Sequence, residues 1–319
     1  MNERQPIQDA VQQYLTERRC LGFDLKIAGR QLMRFACFAD ARHHVGPLTQ
    51  DLQVDWARQQ GQRVSDITAA RRLELLRPFA TYYRQFEPMT AVLPTHYLGR
   101  AHRRLAPHIY MQVEIIDLLA ATDSMSTITS LRPITYRTLF GLIAATGLRL
   151  SEALNLDCGD VDIIGFRLIV RQTKFNKSRC LPIQPSVAKA LDFYRRERRR
   201  HFYDSPNTPF IVSETGSRLT IDNVHYAFGR LRRYLGWTAR GDHAKPRIHD
   251  LRHTFAVNYV TNWHRQGMPI DQGMLWLCTY LGHAKISDTY WYLSATPELM
   301  TLIADRFEKF ATSTGDANA

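Results

Sequence analysis

Apolar side chains recur at helical spacing through the first ninety residues of the chain. Ile7, Val11 and Leu15 lie four residues apart, and Leu73 belongs to a similar stripe later in this stretch. Such a period places apolar side chains on one face of a helix. Glycine and proline interrupt the pattern at intervals, so it predicts about four amphipathic helices and a helical first domain over residues 1–90.

Residues 108–319 combine helical stripes with one stretch of alternating apolar and polar positions. Phe166–Gln172 alternates as a strand does, Ser178–Ile183 is its expected partner, and residues 173–177 would form the hairpin turn. Further helices are predicted at Pro133–Ala145, Pro185–His201, Ile221–Gly236, His249–Asn262 and Glu298–Phe310. We therefore expect a mostly α-helical protein with a small antiparallel β-sheet, in which a helical N-terminal domain precedes an α+β domain.

Between these two regions, residues 91–107 are rich in proline and carry Arg100, Arg103 and Arg104. We interpret this stretch as a basic linker whose arginines contact DNA. The formal net charge of the whole chain is +12. Residues 1–105 contribute 16 Lys and Arg against 10 Asp and Glu, and the remainder contributes 26 against 20, so each part carries +6. A basic excess spread over both parts favours a polyanionic partner.

A dense basic run, residues 195–200, lies at the end of a predicted helix. Arginines near a helix C-terminus are favourable without any ligand, because they interact with the helix dipole. We interpret the run as a solvated face, or one that contacts the DNA backbone.

The cysteines and the N-terminus exclude several classes of protein. The five cysteines are scattered and form no C-x-x-C pair, so neither a zinc site nor a disulfide framework is expected. The first residues are polar and lack the apolar segment of a signal peptide. No stretch approaches the roughly 18 apolar residues that a transmembrane helix needs. These features predict a cytoplasmic protein.

Four short motifs in the second half contain the residue types that phosphodiester chemistry requires. Arg149 lies in Thr-Gly-Leu-Arg-Leu-Ser-Glu, His249 and Arg252 lie in His-Asp-Leu-Arg-His-Thr, His283 ends Leu-Gly-His, and Tyr292 follows. Arginine offers a permanent charge and a planar fork of donors that matches phosphate oxygens. Tyrosine can form a covalent phosphoester. Together these residues could attack a phosphodiester without a metal ion.

The ordered motifs resemble those of the tyrosine recombinase (phage integrase) family, of the Xer-like or mobile-element two-domain type. The match runs through the whole second half, and the helical first half is similar in pattern to the family's core-binding (SAM-like) DNA-binding domain. The resemblance implies that Arg149 and Arg252 bind the scissile phosphate. It implies that His249 and His283 donate hydrogen bonds or protons to it. Glu152 matches an accessory acidic position, and would hold the arginine or a neighbouring histidine in place.

The resemblance also bears on the nucleophile and on the acid that protonates the leaving group. In the family the tyrosine lies nine residues after the Leu-Gly-His histidine, which selects Tyr292. Tyr290 is the alternative, and would otherwise serve packing or DNA contact. The family places a lysine on a β-hairpin, which corresponds to Lys174, with Lys177 as the alternative or as a DNA contact. Threonine and phenylalanine flank Lys174, whereas the family pattern often has glycine on both sides.

The mechanism implied by this resemblance proceeds through a 3′-phosphotyrosyl intermediate, a free 5′ hydroxyl and a Holliday junction. It needs no metal, no ATP and no other cofactor. The implied partners are double-stranded DNA with an inverted-repeat-like core site and further copies of the chain, as a tetramer on two sites, with other recombinases in a set as an option. The setting would be the nucleoid, in integration or transposition of a mobile element. The predicted tail helix Glu298–Phe310 would dock on its own domain or on a neighbouring protomer.

Three other functions remain open from the residues. A metallohydrolase would use His249 and His253, which are spaced as in H-E-x-x-H, although Asp250 stands in the place of the glutamate. A DNA-binding accessory protein would share the fold without catalysis. A type IB topoisomerase or a hairpin telomere resolvase would use the same chemistry and differ in its product.

Overall fold

The protein forms two compact units, Met1–Arg104 and Leu105–Ala319. The computed structural model describes residues 6–59, 64–101, 104–125, 130–171 and 178–291. The division falls inside the stretch that the sequence predicts as a linker. Most of that stretch nevertheless belongs to the first unit. Leu93 packs into its core, and the carbonyl of Ala101 accepts a hydrogen bond from Nε of Arg71 at 2.9 Å.

The described part of the first unit is helical, as the apolar periodicity predicts. Its helices are α1 (Ile7–Cys20), α2 (Lys26–Ala41), α3 (Gln50–Arg58) and α4 (Asp66–Tyr83). Thr49 and Ser65 cap α3 and α4, because each side-chain oxygen accepts a backbone N–H from the first turn. Aromatic rings fill the centre, where Phe35 meets Trp56 and Phe79 edge to face.

The described part of the second unit combines helices with one small sheet, which confirms the predicted fold class. The helices are α5 (Gln112–Ala121), α6 (Arg132–Thr146), α7 (Leu150–Leu154), α8 (Pro185–Arg199), α9 (Ile221–Tyr234), α10 (Ile248–Arg265), α11 (Ile270–Leu281) and α12 (Ser287–Tyr290). The antiparallel strands β1 (Val161–Asp162), β2 (Arg167–Val170) and β3 (Arg179–Pro182) lie in the order β1-β2-β3. Across the described helices of both units, none is long and apolar enough to span a bilayer.

Helix α6 lies at the centre of the second unit and packs against α5, α8 and α10. It is apolar on several faces, with Leu139, Phe140 and Ile143 at most 1% exposed, as expected of a buried helix. Gly147 ends it in the left-handed conformation, with φ +63°. A Cβ at this position would lie 2.6 Å from a ring carbon of Phe255, so only glycine fits. This turn leads directly into the motif that contains Arg149.

A smaller apolar cluster holds α11 against α10. Phe255, Val260, Met274 and Leu277 are buried there. Helix α11 ends at Gly282, which is also left-handed, with φ +66°. The two glycine turns therefore end α6 and α11 close to α10. The turn at Gly282 leads directly to His283.

The interpretation of the basic run as a solvated or DNA-contacting face is wrong for Arg198, which is buried. Arg195, Arg198 and Arg199 converge on Asp204, with hydrogen bonds of 3.0, 3.1 and 2.6 Å. Arg198 is only 1% exposed. Burial alone would raise the pKa of Asp204, but hydrogen bonds from the Cys158 thiol and from the arginines lower it to about 2. These arginines stabilise the loop after α8, and a carboxylate just beyond the run explains how Arg198 can be buried.

Substitution of Asp204 tests this structural role. Asp204→Asn leaves the buried Arg198 guanidinium without its counter-ion, so we expect a loss of about 3 kcal/mol in the free energy of unfolding. The matched control is Asp192→Asn, which breaks the exposed pair with Arg196 and should cost less than about 1 kcal/mol. Urea unfolding of both variants measures the difference. Equal losses would contradict the structural role.

Candidate active site

Glu152 occupies the centre of a cluster of arginines at the start of α7. One carboxylate oxygen accepts the backbone N–H of Arg149 at 3.0 Å, and the other accepts Nη1 of the same residue at 2.7 Å. Arg179 approaches with two further hydrogen bonds of 2.8 and 3.1 Å. Burial alone would raise the pKa of Glu152, but the hydrogen bonds from Arg179 and Arg149 lower it to about 2. The carboxylate is therefore ionised at neutral pH.

Arg252 lies beneath this cluster on α10 and is 1% exposed. Its Nη1 donates to the carbonyl of Gly147 at 2.6 Å, and its Nη2 donates to the carbonyl of Leu281 at 2.8 Å. The guanidinium also lies 4.0 Å from the Glu152 carboxylate. One buried side chain thus joins the last turn of α6, the last turn of α11 and the acidic centre.

His283 is held between Arg252 and Thr289. Its Nε2 lies 2.9 Å from Nη2 of Arg252, and its Nδ1 lies 2.8 Å from Oγ1 of Thr289. A guanidinium only donates hydrogen bonds, so Nε2 accepts and the ring proton is on Nδ1. Burial and the charges of Arg252 and Arg149 lower the pKa of His283 to about 4. The ring is therefore neutral at pH 7, with one defined tautomer.

His249 begins the first turn of α10, three residues before Arg252. Part of His249 is exposed to solvent. The surrounding protein nevertheless desolvates its ring, and this desolvation, together with the charges of Arg252 and Arg247, lowers the pKa of His249 to about 4. Its ring meets that of His253 edge to face, with centroids 4.7 Å apart. His249 is thus the neutral and accessible imidazole of the cluster.

The metal alternative depends on a further ligand beside His249 and His253. Within the described residues, no group of three or more His, Cys, Asp or Glu side chains is arranged to hold a metal ion. His253 is 9% exposed, and burial, together with the neighbouring His249 and Arg247, lowers its pKa to about 2. Its position is that of a buried neighbour of His249.

The cluster is strongly positive in sum. Arg149, Arg179 and Arg252 surround the single carboxylate of Glu152, and the nearby imidazoles are neutral at pH 7. Two positive charges therefore remain unbalanced within this group. Positive charge and oriented donors at a partly accessible surface suit the binding of a phosphate and the stabilisation of charge that develops on it.

The structure brings together five of the residues that the sequence singles out, namely Arg149, Glu152, His249, Arg252 and His283. Four others lie outside the described residues, namely Arg103, Lys174, Lys177 and Tyr292. Arg100 and Arg104 are exposed in the first unit. The catalytic and DNA-binding roles of all these residues stay predictions.

Two contributors to the cluster were missed by the sequence reasoning. Arg179 opens β3, and Thr289 lies in α12 and is 0% exposed. Arg179 is inside a predicted strand, where an arginine gives no sign of a partner 27 residues away. Thr289 lies six residues after His283 on a short helix, and no sequence pattern indicates that the two side chains are in contact.

Comparison with known proteins identifies close likenesses over the whole chain. Residues 111–298 match the model of the phage integrase family. A candidate integrase/recombinase of Sinorhizobium fredii, y4rB, is 38% identical over 304 residues, which cover 94% of this chain and 96% of that protein. Tyrosine recombinase XerC of Chlamydia caviae is 29% identical over 237 residues, which cover 73% of this chain and 69% of XerC.

Among solved structures, the fold resembles that of the Tn1549 transposon integrase in complex with transposon right end DNA. The TM-score is 0.67 at 17% sequence identity, and the alignment covers 96% of this chain and 100% of that one. At this level of identity the comparison establishes a common fold.

The depressed histidine pKa values predict how stability depends on pH. A histidine whose pKa in the folded chain lies below its ordinary value of about 6.5 binds its proton more readily when unfolded, so stability is lost as pH falls below about 6.5. With a pKa of about 2 in the folded chain, His253 alone should cost about 2 kcal/mol at pH 5 relative to pH 7.5. His253→Gln should therefore reduce the difference in unfolding free energy between these two pH values by that amount.

Urea unfolding at pH 7.5 and pH 5 measures this difference. The control is His201→Gln, the same substitution at an exposed position, which should leave the pH dependence as it is in the unaltered chain. If the His253→Gln variant loses as much unfolding free energy between pH 7.5 and pH 5 as the unaltered chain does, His253 is not the group that binds the proton.

Proposed function

Because the chain belongs to the phage integrase family of tyrosine recombinases, we propose that the cluster around Glu152 binds and activates the scissile phosphate of its DNA site. The chain is a site-specific recombinase, an enzyme that breaks and rejoins DNA strands. One observation carries the assignment of the site. Arg149 lies more than a hundred residues before Arg252 in the chain, yet both meet at one ionised carboxylate, and His283, from a third motif, contacts Arg252.

The two arginines of the motifs neutralise the phosphate. A phosphodiester carries one negative charge, and a second develops on its oxygens as the nucleophile adds. The cluster already has two positive charges in excess, so it is complementary to the transition state more than to the bound substrate. Arg149 is the more accessible of the two, with a side chain 32% exposed, whereas Arg252 contributes its charge from beneath.

The two histidines act as neutral groups. His249 is exposed and can donate a ring N–H to a phosphate oxygen. The tautomer of His283 presents its Nε2 lone pair to Arg252, so this ring orients the guanidinium in the free protein. A bound phosphate anion would raise the pKa of either ring, because an adjacent negative charge favours the imidazolium. Proton donation by these residues would then follow substrate binding.

Tyr292 is the proposed nucleophile, and the surroundings of Tyr290 support this choice. The Tyr290 hydroxyl donates a hydrogen bond of 3.1 Å to Asp271. This hydrogen bond raises the pKa of Tyr290, which disfavours the phenolate that the reaction needs. Tyr292 keeps the spacing of nine residues after His283.

Lys174 is the proposed proton donor to the leaving oxygen, with Lys177 as the alternative or as a contact to the DNA backbone. Strands β2 and β3 are antiparallel neighbours, so the chain between them returns to the point where β3 begins. Arg179, the first residue of β3, contacts Glu152. Lys174 and Lys177 lie five and two residues before Arg179 in the sequence, and this closeness supports the proposal.

The proposed reaction conserves the energy of the phosphodiester bond. The Tyr292 hydroxyl oxygen attacks phosphorus and passes its proton to water. The bond from phosphorus to the 5′ oxygen breaks, and the 5′ oxygen takes a proton from the lysine. The product is a 3′-phosphotyrosyl link with a free 5′ hydroxyl. A 5′ hydroxyl of a second duplex then attacks that link and releases the tyrosine. Two such rounds pass through a Holliday junction without ATP.

The partner is DNA, and we propose a duplex core site with inverted-repeat-like arms. Four copies of the chain would bind two such sites, alone or with other recombinases in a set. The first unit would be the core-binding (SAM-like) DNA-binding domain, with Arg100, Arg103 and Arg104 near its end. The Tn1549 integrase was solved with transposon end DNA, and y4rB is named for integration or recombination. Both favour a mobile element as the setting, in the nucleoid of the cytoplasm.

Helix α9 offers a further surface for DNA in the second unit. Tyr226 and Tyr234 are 64% and 71% exposed, and the exposed Arg230 and Arg233 lie on the same stripe. The helix packs against α7, whose first turn contains Glu152. Arginines interleaved with aromatic rings on an exposed helix face suit a DNA backbone.

A covalent trapping assay tests the proposed chemistry. Nicked suicide duplexes that cover the DNA beside the gene would be incubated with the protein in the presence of EDTA. We expect a protein–DNA adduct with the unaltered chain and none with Tyr292→Phe, because only the tyrosine oxygen can form the phosphotyrosyl link. Denaturing gels measure the adduct.

Tyr290→Phe is the matched control, and it should retain the adduct. An adduct that survives Tyr292→Phe and disappears in Tyr290→Phe would move the nucleophile. DNA binding without any adduct would favour a non-catalytic accessory protein of the same fold. Relaxed supercoils or hairpin ends, in place of exchanged strands, would indicate a topoisomerase or a telomere resolvase.

The α9 surface gives a separate prediction about DNA binding. The double variant Arg230→Ala, Arg233→Ala should weaken binding to all sequences and reduce the slope of log K against log salt by about 2, since each phosphate contact contributes roughly 0.9. The control pair Arg137→Ala, Arg167→Ala removes the same charge from α6 and β2, where each arginine forms an ion pair at an exposed position. Fluorescence anisotropy across a salt series measures both. Equal slopes for the two variants would contradict a DNA contact by α9.

A further inference from the structure

Arg179 is held by hydrogen bonds to a carboxylate and to a backbone carbonyl of the protein. Its fork binds both oxygens of Glu152, at 3.1 and 2.8 Å, and its Nε donates to the carbonyl of Tyr280 at 3.0 Å. The side chain is 13% exposed, compared with 32% for Arg149. Arg179 is therefore poorly placed to bind a phosphate itself, and its bidentate geometry specifies the carboxylate.

The position of Arg179 determines how Glu152 is shared among the arginines. Glu152 is 7% exposed, so its ionised carboxylate must be neutralised by neighbours. Arg179 supplies two hydrogen bonds, whereas the Arg149 side chain supplies one. If Arg179 were absent, Arg149 would be the remaining close counter-ion, and its charge would be used to neutralise Glu152.

Arg179 also packs directly on the turn that precedes His283. A Cβ on Gly282 would lie 2.7 Å from Nη1 of Arg179, so the two are in close contact. The carbonyl of Gly282 accepts a hydrogen bond from Nη2 of Arg149 at 3.3 Å. The Gly282 turn thus contacts both Arg179 and Arg149.

We propose that Arg179 is a positioning residue of the recombinase site, which neutralises Glu152 so that the charge of Arg149 remains available to the scissile phosphate. This inference rests on the proposed function of the cluster. It assigns to β3 a structural task in catalysis that is separate from the lysines of the hairpin. Arg179 acts only through Glu152 and the Gly282 turn.

The test compares two substrates that differ in the charge of the scissile group. One is the ordinary phosphodiester, and the other carries a methylphosphonate, in which a methyl group replaces a non-bridging oxygen and removes the negative charge. We expect Arg179→Gln to lower single-turnover strand cleavage about 100-fold on the phosphodiester, as for the loss of one preorganised donor. On the methylphosphonate we expect a loss of less than about tenfold, because only one negative charge develops in its transition state and Arg252 can neutralise that charge without Arg149.

Three further variants make the comparison specific. Arg149→Ala should show the same preference for the neutral substrate, and Arg179→Lys should recover part of the phosphodiester activity because it keeps the charge. In a Glu152→Gln background, Arg179→Gln should have little additional effect, since the amide needs no counter-ion. The control is Arg218→Gln, which removes an arginine that binds the other end of α7 through the carbonyl of Leu154. It should affect both substrates by the same factor.

The outcomes separate this inference from the proposed function. If the unaltered chain cleaves the phosphodiester while Arg179→Gln loses activity equally on both substrates, or loses none, the positioning role is refuted and the proposed function stands. If the losses of Arg179→Gln and Glu152→Gln are simply additive, action through Glu152 is refuted. If the unaltered chain cleaves neither substrate, the proposed function fails, and this inference fails with it.

Discussion

The buried carboxylate of Glu152 is the interaction on which the rest of the site depends. Three guanidinium groups within 4.0 Å of it come from the start of α7, from β3 and from α10. Without a central anion these cations would repel one another strongly in a partly desolvated place. Glu152 makes their approach possible, and its low pKa keeps it ionised wherever the enzyme would work. It also caps α7, so one side chain stabilises the start of the helix and neutralises part of the charge of the arginines.

The ends of two helices provide the second element of the arrangement. Gly147 and Gly282 turn the chain sharply at the ends of α6 and α11, where carbonyl groups have no helical partner. Arg252 binds the carbonyls of Gly147 and Leu281, and Arg149 binds that of Gly282. The negative ends of the helix dipoles thus favour the same cations that the site needs. Arginine suits this task better than lysine, because its planar fork can reach several acceptors at once.

The sequence was sufficient for features that depend on local pattern. The stripe in α4, the buried helix ended by Gly147 and the paired strands β2 and β3 all follow from periodicity and turn residues. The motifs that bring Arg149, Arg252 and His283 together followed from resemblance to a family. Contacts between distant residues could not be predicted, since nothing local distinguishes Arg179 from an ordinary strand residue. The burial of Arg198 in the basic run could not be predicted for the same reason. Asp204 lies beyond the helix, and only the folded loop brings it to Arg198.

The excess of positive charge has a consequence for the free protein. Two unbalanced guanidinium charges next to neutral histidines oppose the compact state, and the carbonyls of the two glycine turns offset only part of this repulsion. A bound phosphodiester would offset one of these two charges, so DNA binding and the order of these turns should favour each other. The neutral histidines fit this scheme, because protonated rings would add to the repulsion before substrate arrives. The low pKa values of His249 and His283 result first from desolvation of the rings and then from the charges of the neighbouring arginines.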